Sequence, residues 1–523
     1  GSLSFNQLMN TSSKVWLFFC WIGVMVMAVF LRFDDLSDRP FHFDEATGAR
    51  ITSQRLSATE GYSFNPEHNH GPLLSVAAEP FCRVNGESMW PQMSKISLRL
   101  VPAIAGTLLV MIPLFWRRRF GDVSVLAAGA FLATSPLLVY YSRMFIHEML
   151  LTLCGLAVMG VLFVRPRFSL TVKFATIGIL VGLMFAIKET FAISIIAWTA
   201  AGIILGLSNI SKINQHNTAK NRKRLLGEYR NPVIAFFLAA GASAGWYYTD
   251  GLSNLSGAWD AVRTFFIYKT TAGHDKAFTY YLEMLAVPTK GGIWWHETLI
   301  FILAAVALIR SYLPGKKDSR QENIVRFLAF SAISHLLIYS IISYKTPWLM
   351  CLPWAHVCLL AGLSLRGFNQ WKLPVKITAV LLLAGVLFQQ QRLSRFASGR
   401  FANDTRNPYA YTPTSKDAEA VQKWMKDLSK VVSPDELEPI GVVGREYWPL
   451  PWYLREFQSI GYWPEPAPEI SDCPVVFAMP EYADEISEQL KNTHTAQPRT
   501  LRANVPVMMY LRNDHWKKWM TSE

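Results

Sequence analysis

The feature that most constrains this chain is a succession of long apolar runs, each bounded by polar or charged residues. A helix needs about 20 mostly apolar residues to cross a bilayer, and the run from Trp16 to Leu31, WLFFCWIGVMVMAVFL, nearly reaches that length alone. By this criterion the sequence predicts a polytopic α-helical membrane protein with about eleven spans. They cover residues 16–31, 96–116, 123–139, 149–164, 170–187, 191–207, 232–248, 297–313, 327–342, 349–365 and 377–390.

The charges fix a predicted orientation for these spans. Only 17% of the residues are charged, against roughly 25% in soluble domains, and the net charge is +13. The basic residues cluster in short segments between apolar runs, which argues against nucleic acid as a partner and matches the excess of Lys and Arg in cytoplasmic loops. With a cytoplasmic N-terminus, every predicted cytoplasmic connection is basic. These connections are RRR at 117–119, RPR at 165–167, KNRKR at 220–224, GKKDSR at 315–320 and the stretch 366–376.

This topology predicts two domains in an integral plasma (inner) membrane protein. Residues 1–390 form the transmembrane domain, with a first outer loop at 32–94 and another at 249–296. Residues 391–523 read as a soluble extracytoplasmic domain. In that tail, PIGVVG, CPVVFAMP and VPVMMYL are typical of short buried strands, and TSKDAEAVQKWMKDLSK and ADEISEQLKN are typical of helices. Strands alternating with helices predict a small α/β domain.

Ionisable residues from four separate parts of the chain fall on the predicted outer face. Because charges at membrane depth are costly, they usually have a partner or a function. Each has an ordinary explanation when taken singly: an acidic turn, a basic side chain snorkelling to the interface, or a weak surface pair. Their convergence is the strongest functional signal in the sequence. The residues are Asp44, Glu45, His70, Arg143, His147, Glu148, Lys188, Glu189 and Lys345.

Carboxylates facing several cations at an interface suit chemistry on an anionic lipid. When a sugar is carried on a lipid phosphate, Arg and Lys can bind that phosphate and stabilise the charge that develops as the glycosidic bond breaks. A carboxylate opposite them can accept the proton of an acceptor hydroxyl. One base with direct attack implies inversion at the sugar carbon, whereas retention would need a second carboxylate as nucleophile.

Several short motifs carry a resemblance to a known family. FHFDEATGAR at 41–50, HGPLL at 70–74, YYSRMFIHEMLL at 140–151, IKETF at 187–191 and SYKTPWLMCLPWAHV at 343–357 resemble the C superfamily of membrane glycosyltransferases (GT-C). They are closest to its protein-mannosyltransferase-like branch. With NPYAYTPTS at 407–415 and YWPLPWYLR at 447–455, the pattern is similar to the flippase-activity-associated proteins of archaeal-type glycosylation.

The resemblance implies a hexosyltransferase-like enzyme that uses a polyprenyl-phosphate-linked sugar on the outer face. It implies Asp44 as the catalytic base, with Glu45 beside it. The donor phosphate maps best onto Arg143 and Lys345, and less directly onto Lys188 and His147. Contacts with the acceptor or the sugar are expected from His70, Glu148, Glu189 and Tyr344.

The sequence also departs from the family pattern. Gly71-Pro72 stands where protein mannosyltransferases have a double proline, and their luminal sugar-binding repeats are absent. The acceptor is therefore left open between a lipid, a glycan and a protein. The acidic metal-binding pair and the WWDYG-like motif of oligosaccharyltransferases are absent as well, so we expect neither a metal nor a cofactor. Two alternatives stay open: a transporter or flippase of lipid-linked sugars without bond chemistry, and an assembly scaffold whose membrane part is inactive.

Overall fold

The computed structural model describes residues 5–59, 61–164, 169–208, 219–267, 273–286, 292–314 and 318–522. The RPR segment and residues 315–317 lie outside the described residues. By their internal contacts the residues divide into two units. The first comprises residues 1–34, 62–78 and 99–400, and the second comprises residues 35–61, 79–98 and 401–523. The predicted domain boundary at residue 390 stays a prediction.

The first unit is helical, and each of the eleven predicted spans lies on one of its helices. Among the residues that the structure describes, seven helices are long and apolar enough to cross a membrane, and three apolar helices are shorter, Asp122–Thr134, Glu148–Phe163 and Thr298–Tyr312. The chain is therefore an integral membrane protein. The helices that carry the spans are Phe5–Phe33, Lys95–Leu108 with the 3₁₀ continuation Leu109–Trp116, Asp122–Thr134 with Pro136–Tyr141, Glu148–Phe163, Leu170–Ile187, Phe191–Ser208, Ala219–Tyr248, Thr298–Tyr312, Ser319–Ile341, Pro347–Met350 with Cys351–Leu363, and Leu373–Ser398.

Shorter helices connect these spans or flank them. They are Leu73–Val84, Arg117–Phe120, Gly257–Ile267 and Tyr280–Ala286. Close packing of the spans depends on small residues, as is usual between membrane helices. A Cβ atom added to Gly362 would lie 2.3 Å from the main-chain nitrogen of Ala128. The helices Asp122–Thr134 and Cys351–Leu363 therefore touch backbone to backbone at this point.

A fully buried arginine ties the first span to its neighbours. Arg32 donates to the carbonyl oxygens of Leu132 at 3.0 Å and Ala133 at 2.9 Å, and to Ser142 Oγ at 3.2 Å. These carbonyls belong to the last turn of the helix Asp122–Thr134, where they have no partner within the helix. A cation at this end also interacts favourably with the helix dipole. Arg32 therefore has a structural explanation for its burial.

The second unit contains a five-stranded sheet, which confirms the predicted α/β character of the tail. The strands are β1 (Ile440–Val443), β2 (Ile460–Trp463), β3 (Val475–Ala478), β4 (His494–Arg502) and β5 (Val505–Arg512). Their spatial order is β2-β1-β3-β5-β4, with β2, β1 and β3 parallel and β5 antiparallel to both β3 and β4. The helices of this unit are Phe43–Leu56, Lys416–Leu428, Pro434–Leu437, Leu450–Tyr453, Ala483–Leu490 and Asn513–Ser522.

Part of the first loop, residues 35–61, packs within this second unit beside the tail residues. The Phe41 N–H donates to Tyr453 Oη at 2.8 Å, and the Phe41 carbonyl accepts from Thr414 Oγ1 at 2.9 Å. The Phe41 ring stacks on Trp452 with their centroids 3.9 Å apart. Phe41, three residues before Asp44, is therefore held by two tail residues at its main chain and by a third at its ring.

Candidate active-site residues

Asp44 lies in the first turn of the helix Phe43–Leu56, and His42 caps that helix. His42 Nε2 bonds the Tyr411 carbonyl at 3.0 Å, so it carries the proton, and His42 Nδ1 accepts the Asp44 N–H at 3.2 Å. Burial lowers the pKa of His42 to about 4, against an upward effect of Glu45. The ring is therefore neutral near pH 7, and the 3.5 Å contact between His42 Nδ1 and the Asp44 carboxylate is not an ion pair.

Glu45 and Asp44 have different environments although they are adjacent. Glu45 is fully buried, and its Oε2 accepts the His42 N–H at 2.9 Å, which completes a reciprocal capping box. The Asp44 side chain is 36% exposed and lies at the positive end of the helix dipole. The observed contact of Glu45 fixes the helix start, whereas the Asp44 side chain is partly exposed.

A second group of predicted site residues meets at one corner of the helical unit. We call these five residues the corner cluster: His70, His147, Glu148, Lys188 and Glu189. Lys188 Nζ lies 2.5 Å from Glu148 Oε1, and His70 Nδ1 lies 3.0 Å from Glu189 Oε2. The rings of His70 and His147 meet edge to face, with centroids 5.0 Å apart. Three segments that are remote in sequence therefore contribute charged or titratable groups to one place.

The charges within the corner cluster are largely compensated. Burial raises the pKa of Glu189, but the charge and hydrogen bond of His70, together with Lys188, outweigh it and lower that pKa to about 2. Burial, His70 and Lys188 hold the pKa of His147 well below 6.5. His147 is therefore neutral near pH 7 and can offer a hydrogen bond but no positive charge. Lys188 is a cation already paired with Glu148.

Gly71 explains the departure from the double proline of protein mannosyltransferases. A Cβ atom at this position would lie 2.2 Å from the carbonyl oxygen of Ala186 and 2.5 Å from its carbonyl carbon. Real Cβ contacts are not this short, so a proline here would force the two backbones apart. The Gly71 backbone also hydrogen-bonds His147. The glycine therefore allows the close approach that brings His70 to the corner.

Arg143 and Lys345 have different hydrogen-bond partners from the corner cluster. Lys345 is 1% exposed and donates from Nζ to the carbonyl oxygens of Lys276, at 3.1 Å, and Ile342. Because carbonyl oxygens have no net charge, these bonds leave the full positive charge on Lys345. Arg143 Nη1 donates to the Leu31 carbonyl at 3.2 Å. Tyr344 forms an antiparallel bridge with Asp275.

Sequence reasoning missed the capping role of His42 and several buried polar residues. His42 stands three residues before Glu45, the spacing of a capping box, and that pattern is a usable signal. Glu297 accepts from Ser135 Oγ at 2.6 Å and Trp354 Nε1 at 2.9 Å, fully buried. Glu297 begins the predicted span 297–313, and that position did not reveal its partners.

The comparisons with known proteins agree with this fold. The sequence model of the family described as Dolichyl-phosphate-mannose-protein mannosyltransferase matches residues 69–218, under a third of the chain. No curated protein matches the sequence. The chain is similar to ArnT from Cupriavidus metallidurans in the apo state, at 14% identity and a TM-score of 0.61, over 95% of this chain and 98% of that one.

Two further structures have a similar architecture. ArnT from the same organism bound to undecaprenyl phosphate matches at 14% identity and a TM-score of 0.60, over 94% of this chain and 98% of that one. The Archaeoglobus fulgidus oligosaccharyltransferase in the apo form matches at 12% identity and a TM-score of 0.55, over 93% of this chain and 70% of that one. Identities this low establish a likeness of fold. The chain therefore has the fold of the C superfamily of membrane glycosyltransferases.

Proposed function

We propose that this protein is an inverting glycosyltransferase that acts at the outer face of the membrane. It takes a sugar from a polyprenyl-monophosphate donor and transfers it to a lipid, glycan or protein acceptor. The observation that carries the proposal is the corner cluster, whose residues all lie in the stretch 69–218 that matches the mannosyltransferase family model. A related fold crystallised with undecaprenyl phosphate supports the class of donor.

The proposed reaction is a single displacement at the sugar carbon. The acceptor oxygen attacks that carbon while the bond to the phosphate oxygen breaks, and the phosphate leaves with the bonding electrons. Asp44 takes the proton of the acceptor hydroxyl. Its exposure and its place at the positive end of a helix suit a carboxylate that must stay ionised until it accepts this proton.

Glu45 is proposed to act through the position of Asp44. Its buried carboxylate fixes the first turn of the helix that carries the base. A base held within a fraction of an ångström of its working position is worth much more than a mobile one. Glu45 is therefore a positioning residue in this mechanism, and its Oε2 is already used by the cap.

For the donor phosphate, we propose Lys345 and Arg143 as the main cationic contacts. The hydrogen-bond acceptors of Lys345 are neutral carbonyl oxygens, so its charge can be used by a phosphate that displaces one of them. Lys188 is a weaker candidate because Glu148 already balances its charge. His147 can donate a hydrogen bond. His70, Glu148, Glu189 and Tyr344 are proposed for the sugar or the acceptor.

The test is a transfer assay with purified protein in liposomes. It uses a panel of radiolabelled polyprenyl-phosphate sugars as donors and a native envelope extract as the source of acceptors. Asp44→Asn should reduce transfer by roughly 10²–10⁴-fold, the usual contribution of a general base, and should leave donor binding intact. Asp38→Asn removes the same charge from the same loop and should transfer normally.

The product separates the proposal from its alternatives. Inversion of the anomeric configuration, read by NMR of the isolated product, supports a single displacement, and retention would overturn it. Movement of the donor across the bilayer without any new glycosidic bond would support the flippase alternative. Normal turnover by Asp44→Asn would remove Asp44 from the mechanism.

A further inference from the structure

A groove of about 540 Å³ lies on the helical unit, far along the chain from the corner cluster. It is lined by residues of the helices Asp122–Thr134, Thr298–Tyr312 and Leu373–Ser398 and of the connection 364–372. Its walls are apolar and include Leu303, Val306, Leu382, Leu383 and Val386. Polar groups lie at the end of one helix and the start of another, where Arg310 and Lys372 line the groove. The groove is thus apolar along its length and basic at one end.

The basic end is held in a defined geometry. Arg310 donates to the carbonyl oxygens of Ser364 and, at 3.1 Å, of Arg366. Its guanidinium also lies over the Trp371 ring, 5.2 Å from the centroid. Carbonyl oxygens position the guanidinium without removing its charge. Lys372 precedes the helix Leu373–Ser398 and is exposed.

The local sequence reinforces the positive charge. From Arg366 to Lys376 the chain reads RGFNQWKLPVK. Glu322 balances the charge of Arg366, and the two lysines, Lys372 and Lys376, have no acidic residue beside them in this segment. The predicted topology places this connection on the cytoplasmic side. Anionic lipids are concentrated in that leaflet, and basic pockets between spanning helices on that side bind anionic head groups. Trp371 belongs to the residue type that is enriched at the level of the head groups.

We propose that this groove binds one anionic phospholipid of the cytoplasmic leaflet. Its phosphate lies between Arg310 and Lys372, and one acyl chain fills the apolar length of the groove. Charge complementarity selects an anionic lipid over a zwitterionic one. The site is separate from the glycosyl-transfer chemistry, so its test does not depend on that proposal.

The experiment measures lipid binding to the purified full chain by native mass spectrometry. Phosphatidylglycerol and phosphatidylcholine of the same chain length are titrated into the delipidated protein. One phosphatidylglycerol should bind with roughly tenfold or greater preference. Lys372→Glu should remove that preference through charge. Ala379→Phe, which keeps every charge, should weaken binding by filling the apolar groove that Ala379 lines.

Lys376→Glu is the matched control. It reverses the same charge on the helix that Lys372 precedes, but the Lys376 ammonium donates to the Asn369 carbonyl at 2.9 Å. This variant should keep the preference for phosphatidylglycerol. Equal binding of the two phospholipids, or unchanged binding in both Lys372→Glu and Ala379→Phe, would overturn the proposal. Polyprenyl phosphate displacing phosphatidylglycerol from this groove at equal concentration would also overturn it.

Discussion

Two deeply buried ion pairs among the described residues of the helical unit are alike in burial and differ in their surroundings. Lys188 and Glu148 are 7% and 5% exposed, and Arg366 and Glu322 are 5% and 8% exposed. The first pair lies at span ends that are predicted to be on the outer side of the membrane. The second pair lies at span ends that are predicted to be on the inner side. Isolated charges are rarely left at such positions. Burial alone therefore does not tell which pair has a function beyond stability.

In the inner pair, Arg366 and Glu322 bind each other at two points. Arg366 bonds both carboxylate oxygens of Glu322, Nη2 at 2.8 Å and Nε at 3.2 Å, and Nη1 donates to the Leu363 carbonyl. This two-point geometry is the strongest form of ion pair. A ligand could bind neither Arg366 nor Glu322 without breaking the ion pair. The contacts of this pair are those of a structural clamp between two helices.

The outer pair has titratable neighbours. Lys188 makes one short contact with Glu148, and both histidines of the corner cluster and Glu189 lie beside it. Groups that perturb one another in this way are concentrated at functional sites. The contrast teaches that the number of titratable neighbours, rather than burial, distinguishes a candidate site from a clamp.

The largest effect is expected for Lys188→Met. The change leaves Glu148 buried without its partner, which destabilises a protein by about 3–5 kcal/mol, and it also removes a proposed contact with the donor. Thermal unfolding in detergent and donor binding should both be impaired. The double variant Lys188→Met/Glu148→Leu should regain most of the stability and none of the donor affinity. Full donor affinity in the double variant would mean that the outer pair, like the inner one, has only a structural role.

A smaller total effect is expected when the inner pair is broken. Glu322→Leu leaves Arg366 buried and should lower the free energy of unfolding by a similar 3–5 kcal/mol. Transfer per folded molecule should stay unchanged, because this pair is assigned no role in the reaction. The matched variant Glu322→Leu/Arg366→Met should recover stability. A specific loss of donor binding in either variant would contradict the distinction between the two pairs.

The positions of these charges could be predicted from the sequence better than their pairing could. Four residues of the corner cluster were recognisable because they stand at the corners between apolar runs, and His70 was recognisable as an ionisable residue of the first outer loop. Their partners were not, because Lys188 and Glu148 are 40 residues apart and Arg366 and Glu322 are 44 apart. The contact of Phe41 with Tyr453 spans 412 residues. Such pairings depend on how helices and loops pack, which local patterns do not encode.

The strands of the sheet also differ in how well the sequence predicts them. Strands β1 and β3 are buried along their whole length, so each appears in the sequence as an apolar run that predicts a strand. Strand β4, at the edge of the sheet, reads HTAQPRTLR and alternates between half-buried and exposed residues. It has no apolar run. Strand β2 is as short as β1 and β3 but partly exposed, which also leaves little signal.

A more moderate effect is expected for Gly71→Ala, which tests the geometry of the corner without changing any charge. The added methyl group would lie 2.2 Å from the Ala186 carbonyl oxygen, so the backbone must move and His70 moves with it. We expect a loss of roughly 1–3 kcal/mol and a several-fold loss of transfer. Gly23→Ala is the control, because no atom lies within 4 Å of the added group. Normal transfer by Gly71→Ala would show that the position of His70 is unimportant.

The smallest effect is expected in the pH dependence of stability. Because the pKa of His147 is lower in the folded state than its ordinary 6.5, the unfolded chain binds more protons as the pH falls below 6.5. Stability is therefore fully present above that pH and is lost on acidification, by at most about 1.4 kcal/mol per pH unit. Glu189, with a folded pKa of about 2 and an ordinary value of 4.5, adds a loss of the same sign below pH 4.5. In thermal unfolding, His147→Asn should reduce the loss of stability between pH 6.5 and 4.5, whereas the exposed His68→Asn should not. An unchanged slope in His147→Asn would mean that this imidazole titrates normally in the folded protein.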